Sequence, residues 1–390
     1  MKAQSIQATT GAPSAPLRPL TAAQRVVADC FAAGDIRLDG QRPWDIRVKD
    51  DRFPARVLAH GTLGLGESYM DGWWDCDDLD GMCFRALRAK LTKHVALNLH
   101  MLVATGASLL FNLQSRARAR VVGKRHYDLG NDFFEAMLGP TMQYSCAYYN
   151  GADDLTAAQR SKMDLISRKL GLKPGMRLLD IGCGWGSLAK HAAENYGCRV
   201  VGVTISAEQK AYAENLCRGL PAEIRLQDYR TIQEPFDRIV SVGMMEHVGF
   251  KNHRTFMQVA RRCLRAGDLF LCHTIGDSIS AVRPDPWIAR HIFPNSMLPS
   301  AAQIAYAAEG QFIIEDVHNF GAYYDRTLLA WEKNVQQAWP WFKEHYGERF
   351  LRMWRYYLLG CAGAFRARSI QLFQCLLSAD GVLGGYVGPR

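Results

Sequence analysis

From residue 155 onward the chain alternates amphipathic stretches with short, continuously apolar runs. LTAAQRSKMDLISRKLGLKPGM reads as a helix leading into the strand and turn RLLDIGCGWG. Helix SLAKHAAENYG, strand RVVGVTIS and helix AEQKAYAENLCRGL follow, with further strands at AEIRLQD, FDRIVSVG and DLFLCHTIG. Such βαβ alternation predicts an α/β, Rossmann-like fold, a mostly parallel doubly wound sheet covered by helices on both faces. Ligands of such sheets sit at the carboxyl ends of the strands.

The pattern upstream is different. Residues 21–92, with short apolar runs broken by Gly and Asp, read as a small N-terminal α+β domain whose Trp73 and Trp74 belong to its core. Residues 95–113, VALNLHMLVATGASLLFNL, approach the ~20 residues needed to cross a bilayer. Asn98, His100, Thr105, Ser108 and Asn112 interrupt the run, so a helix lying on a membrane surface or packed between domains fits better. Arg116, Arg118, Arg120, Lys124 and Arg125 come next, either an anchor for an anionic membrane surface or a solvated linker. The division is then a disordered tail over 1–20, the small domain over 21–92, an apolar and basic linker helix over 93–124, and a catalytic domain over 125–390. The tail lacks the apolar core of a signal peptide.

Downstream of the predicted sheet, WIARHIFPNSMLPS, NFGAYYDRTLLAWEKN and RYYLLGCAGAFRARSIQ are dense in aromatics and read as helical lid elements or a substrate-channel wall. Such a surface suits an acyl chain, whereas nucleic acid would need aromatics interleaved with basic grooves. Arg366 and Arg368 could meet a phosphate headgroup, or else be solvated on a helix face or close an internal ion pair.

Composition sharpens this picture only in part. The 390 residues exceed one ordinary domain, and 48% hydrophobic residues suffice for a full core. A net charge of +9 favours anionic partners without choosing among nucleic acid, phosphates and acidic lipid. Eleven cysteines, an odd number without any C-x-x-C pair, argue against a disulfide framework and a zinc ribbon, and for reduced thiols in a cytoplasmic protein.

The turn D-I-G-C-G-W-G places Asp180 before Gly182, Cys183, Gly184, Trp185 and Gly186 at the end of a strand. A dinucleotide fingerprint would space its glycines as GxGxxG and carry an acid about 20 residues on. Here Thr204 and Ser206 end the second strand, and Asp228 with Tyr229 end the third. These features resemble class I S-adenosylmethionine-dependent methyltransferases, in which Asp180 would serve the amino-acid end of the cofactor and Asp228 the adenine amine. After the fourth strand comes MMEHVG with Glu246, and the fifth gives CHTIG with His273. Two histidines and a glutamate could hold zinc, but no H-x-x-x-H or C-x-x-C spacing supports a preformed set, so no metal is expected.

Together RHYDLGNDFFEAMLGPTMQYSCAYY, LLDIGCGWGSLAKHAAENYG, VVGVTISAEQ, LQDYR, RIVSVGMMEHVG, HTIG, DPWIARHIFPN, NFGAYYDRTLLAW and CAGAFRARSIQ closely resemble the cyclopropane-fatty-acyl-phospholipid synthases, and through them the mycolic acid cyclopropane synthases. The resemblance runs in order from about 125 to 375. It implies transfer of a one-carbon unit from S-adenosyl-L-methionine to the cis double bond of an unsaturated membrane phospholipid, with bicarbonate as the base. Residue by residue it implies bicarbonate contacts at Cys146, Glu246, His273, the Ile275 backbone and Tyr324, and cofactor contacts at Tyr144, Ser145, the 182–186 loop, Thr204, Gln209, Asp228 and Tyr229. Cys361 in GCAGAF matches the family's active-site cysteine, although ring formation has no step that requires covalent catalysis. The resemblance further implies a homodimer, peripherally associated with the inner face of the cytoplasmic membrane, with no nucleic-acid partner. A relative that stops at a methyl branch or a methylene would share nearly every cofactor residue. An RNA methyltransferase and a non-catalytic lipid-binding protein fit the aromatic runs and the intact site motifs less well.

Overall fold

The computed structural model describes residues 21–91, 129–281 and 284–390. The predicted tail and the linker helix with its basic residues lie outside them. In chain order the helices are α1 (Ala22–Ala32), α2 (Phe53–Met70), α3 (Leu79–Arg88), α4 (Asn131–Leu138), α5 (Leu155–Lys169), α6 (Ser187–Tyr196), α7 (Ala207–Leu216), α8 (Met245–Val248), α9 (His253–Arg262), α10 (Pro286–His291), α11 (Ala301–Ala308) and α12 (Ala322–Arg366). The strands are β1 (Arg47–Val48), β2 (Trp74–Asp75), β3 (Arg177–Ile181), β4 (Arg199–Thr204), β5 (Ala222–Leu226), β6 (Phe236–Val242), β7 (Leu264–Asp277), β8 (Ile313–His318) and β9 (Ile370–Ser378).

Seven strands form one sheet in the order β5-β4-β3-β6-β7-β9-β8. The five predicted strands, β3 to β7, run parallel, whereas β9 inserts antiparallel between β7 and β8. Alternate residues of these strands bury opposite faces. Leu178, Val200 and Val240 pack with Met163 and Ile166 of α5 and Leu188 of α6, while Leu179, Val201 and Ile239 pack with Phe256 and Val259 of α9 and Ile304 of α11. Each such buried aliphatic side chain contributes about 1.5–3 kcal/mol. This two-sided burial is what makes the strands read as unbroken apolar runs.

The N-terminal elements close over a core of their own, in which Val27, Phe31, Phe53, Trp74 and Met82 pack together with Leu359 of α12. Trp74 is fully buried, its indole N–H donating to the Leu65 carbonyl and the Ser68 hydroxyl. Trp73 is half-buried, with the guanidinium groups of Arg52 and Arg56 over its ring at 4.4 and 4.7 Å. Helix α12 crosses α3 at Gly363, where backbones approach so closely that a Cβ would lie 2.5 Å from the Asp80 carbonyl oxygen and 2.8 Å from the Phe84 nitrogen. Arg366 is not free for a headgroup, because it pairs with Asp80 and Asp325. Of the roles expected for it, the internal ion pair is the one present. Helix α12 also contains Pro340 and bends at Gly347, whose φ of 73° is left-handed.

All eleven cysteines are free thiols. Among the described residues no helix is long and apolar enough to cross a membrane.

Candidate active site

A cavity of about 830 Å³ opens at the carboxyl ends of β3, β4, β6 and β7. It runs from the turn after β3 to a middle chamber and on into an apolar arm walled by α1, α2 and α3, where Phe31, Val57, Leu65 and Met82 line it. Every residue predicted for the site lines this cavity except Gly186 and Cys146.

The first arm is shaped by glycines. Gly182, Gly184 and Gly186 all have left-handed φ, at 83°, 54° and 86°. At Gly186 even the space is missing, since a Cβ would come within 2.7 Å of the Ala213 Cβ. Gly186 therefore serves the packing of α6 against α7, and Gly182 to Trp185 face the cavity. Asp180 is buried at the end of β3 with Oδ2 unpartnered, and burial pushes its carboxyl up to about 7. The Thr204 hydroxyl donates to Gln209 Oε1 at 2.9 Å, which fixes the first turn of α7 against the end of β4. The Asp228 carboxylate accepts from the backbone and side chain of Arg230, at 3.0, 2.9 and 2.6 Å.

In the chamber Glu246 follows β6 on α8. Its Oε1 accepts from the Ile275 N–H at 2.7 Å, and its Oε2 is buried without a partner. Burial raises its pKa to about 7 against the opposing pull of these hydrogen bonds. His273 is buried in β7, and burial holds its pKa well below the imidazole range. Gln374 of β9 donates to His273 Nδ1 at 3.4 Å, so the ring proton belongs on Nε2, which is buried and unpartnered. Tyr324 stacks on Phe365 with ring centroids 4.4 Å apart. Tyr144 joins the same wall through a 3.0 Å hydrogen bond to Tyr357 and a ring contact with Phe293. Burial raises the Cys361 thiol to about 12, which leaves it without nucleophilic thiolate at neutral pH.

Two placements refine the expectations. The Cys146 thiol is fully buried and donates to the Ala147 carbonyl at 3.3 Å, so it does not face the cavity. The Ile275 N–H is engaged by Glu246, so it orients that carboxyl. Three cavity residues, Phe293, Tyr357 and Phe365, lie in segments read from sequence only as aromatic wall. Gln159 and Lys162 of α5, both fully buried behind Ser145, were not singled out. They share the buried face of the helix with Ala158, Leu165 and Ile166.

Residues 114–375 match the family model for mycolic acid cyclopropane synthetase. The chain is 54% identical over 354 residues to the cyclopropane-fatty-acyl-phospholipid synthase of Escherichia coli (strain K12), a match covering 91% of this chain and 93% of the relative. It is 38% identical over 264 residues to a probable fatty acid methyltransferase of Pseudomonas putida, covering 64% of this chain and 67% of the relative. The crystal structure of mycolic acid cyclopropane synthase CmaA1 complexed with SAH and CTAB superposes with a TM-score of 0.60 at 35% identity, covering 66% of this chain and 98% of that one.

Proposed function

Because the chain belongs to the mycolic acid cyclopropane synthetase family, we propose that it is an S-adenosylmethionine-dependent enzyme that closes a cyclopropane ring across the cis double bond of an unsaturated phospholipid acyl chain, with bicarbonate as the base. One observation carries the reading. A glycine-walled arm, a chamber holding two unpartnered polar atoms among aromatic rings, and an apolar arm form one continuous cavity.

The residues fit both small molecules. The unpartnered Asp180 Oδ2, the 182–185 turn, Thr204 and Gln209 would hold the methyl donor, with Tyr144 and Ser145 beside it. S-adenosylmethionine supplies an activated sulfonium methyl, and since an alkene is a weak nucleophile, alignment is the protein's main contribution. The rings of Tyr324, Phe365, Phe293 and Tyr357 offer π faces to a carbocation on the acyl chain and keep water away. Glu246 Oε2, His273 Nε2 and the Tyr324 hydroxyl would hold bicarbonate, which when bound provides the base for the departing proton. With its pKa raised to about 7, Glu246 can stay protonated and donate to an anion where an ionised carboxylate would repel it. Association with an anionic membrane surface through Arg116, Arg118, Arg120, Lys124 and Arg125, which rests on their place after the apolar stretch 95–113, and a homodimer, which rests on the resemblance, belong to the same proposal.

Incubation with labelled S-adenosylmethionine and unsaturated phospholipid vesicles, followed by mass spectrometry of the acyl chains, tests the reaction. Gain of one CH2 with loss of the olefin is expected. Retained unsaturation would favour the methyl-branching or methylene alternative, to which the resemblance to a fatty acid methyltransferase points.

A pH dependence follows from the buried carboxyls. Both Asp180 and Glu246 titrate higher in the folded chain than in the unfolded one, so the ligand-free protein should lose stability as pH rises from about 4 to about 7. An ionised Asp180 favours the ammonium end of the cofactor. Affinity for S-adenosylhomocysteine, measured by calorimetry, should therefore rise with pH up to about 7 and then level off, and Asp180→Asn should flatten that rise.

A further inference from the structure

Helix α5 turns two polar side chains into the protein behind the segment 143–146. Gln159 and Lys162 stand one turn apart, and both are fully buried. Gln159 Nε2 donates to the carbonyls of Ser145 at 2.9 Å and Gln143 at 3.3 Å. Lys162 Nζ donates to the Ser145 hydroxyl at 2.6 Å. Holding a hydroxyl in place does not require a charge, and a neutral amide does the equivalent work next door. Burying an ammonium without a counter-ion costs several kcal/mol.

Among the described residues no carboxylate lies within ion-pair distance of Lys162 Nζ. Lys169, two turns further along α5 and equally buried, has one in Asp316 at 2.9 Å. The groups that face Lys162 are the Ser145 hydroxyl, the Cys146 thiol and the His273 imidazole; behind the histidine, Lys169 is paired with Asp316 and burial keeps His318 neutral. Beyond them in the chamber are the carboxyl of Glu246 and the phenol of Tyr324, both of which burial keeps toward the protonated form. The chamber wall is thus close to neutral, and of the two lysines behind it Lys162 lacks an anion among the described residues. Burial lowers the Lys162 pKa to about 7, a cost that a nearby anion would offset.

We propose that Lys162 is the buried counter-charge for the anion held at Glu246, His273 and Tyr324. It is a positioning residue that acts across the 144–146 segment through Ser145 and through space, without touching the anion. The same charge adds to burial in keeping His273 neutral, the state in which Nε2 donates. The inference rests on the bicarbonate reading above.

The test uses the full chain with unsaturated phospholipid vesicles and S-adenosylmethionine, in carbonate-depleted buffer titrated with bicarbonate. Lys162→Met removes charge and hydrogen bond, and Lys162→Gln removes the charge but can still donate to Ser145. Both variants should need about tenfold more bicarbonate, or beyond, for half-maximal turnover. S-adenosylhomocysteine affinity of Lys162→Gln should stay within about twofold, because that variant keeps a donor to the Ser145 hydroxyl beside the cofactor. Since an unpaired buried charge is removed, Lys162→Met should melt no lower than the parent. Two neutral variants guard against the failure of either to fold. Rescue by glutamine alone, or a loss of cofactor affinity in step with turnover, would overturn the counter-charge and leave a lysine that merely holds Ser145. Parent turnover indifferent to bicarbonate would remove the base reading and this inference together. A bicarbonate-dependent parent with unshifted variants would remove this inference alone.

Discussion

Glu246→Gln is expected to lower turnover by about a hundredfold or more while changing S-adenosylhomocysteine affinity less than about threefold. The two oxygens of Glu246 do different things. Oε1 caps the Ile275 N–H, which ties the carboxyl to β7, and Oε2 faces the chamber with no protein partner. Glutamine can keep only one of these arrangements. If its oxygen caps Ile275, a permanent NH2 replaces a group able to take up or give a proton; if it turns over, Ile275 loses its acceptor. Either way the anion site is altered while the glycine turn, Thr204 and Gln209 keep their places. Single-turnover kinetics and calorimetry on the same preparation check this, and parallel losses in both would count against a base-site role.

The second large effect concerns stability. Gly363→Ala should destabilise the protein by about 3 kcal/mol or more, because the added methyl meets backbone atoms of α3, which cannot rotate away as a side-chain tip could. Gly360, one turn earlier on α12, provides the internal control. Its Cβ would meet only the Cys83 sulfur at 3.9 Å, so Gly360→Ala should be neutral or stabilise by up to about 1 kcal/mol through helix propensity. Thermal unfolding of the two variants decides the matter, and equal melting temperatures would mean that the α3 to α12 crossing yields. Because Met82, Cys83 and Leu87 of α3 line the apolar arm, Gly363→Ala should also lower turnover in the fraction that remains folded.

The parallel half of the sheet was legible because β3, β4, β6 and β7 carry apolar runs buried on both faces, and helices of matching period separate the strands; edge strand β5 buries only Ile224. The antiparallel half was not. β8 exposes Ile313, Ile314 and Val317 at the sheet edge, so its apolar residues do not mark a buried face. β9 follows directly on the end of α12, and its apolar run reads equally well as a continuing helix. That mattered for the site, since Gln374, which sets the tautomer of His273, lies on β9. The site motifs were readable one by one, whereas their assembly was not. Glu246, His273 and Tyr324 come from α8 just after β6, from β7 and from α12, and only the strand order brings the first two to one end of the sheet. Lys162 was overlooked for another reason. A lysine in a helix is usually solvated, and neither its burial nor its missing counter-ion can be seen without the surrounding fold.

A chain with eleven reduced thiols would ordinarily be an easy target for peroxide, which attacks sulfur as the thiolate. Here burial raises the pKa of every one, from half-buried Cys30 and Cys83 to fully enclosed Cys272. The thiolate fraction is correspondingly small at neutral pH, so the apolar packing that makes room for hydrocarbon also slows the reaction of the protein's thiols with oxidants and alkylating reagents.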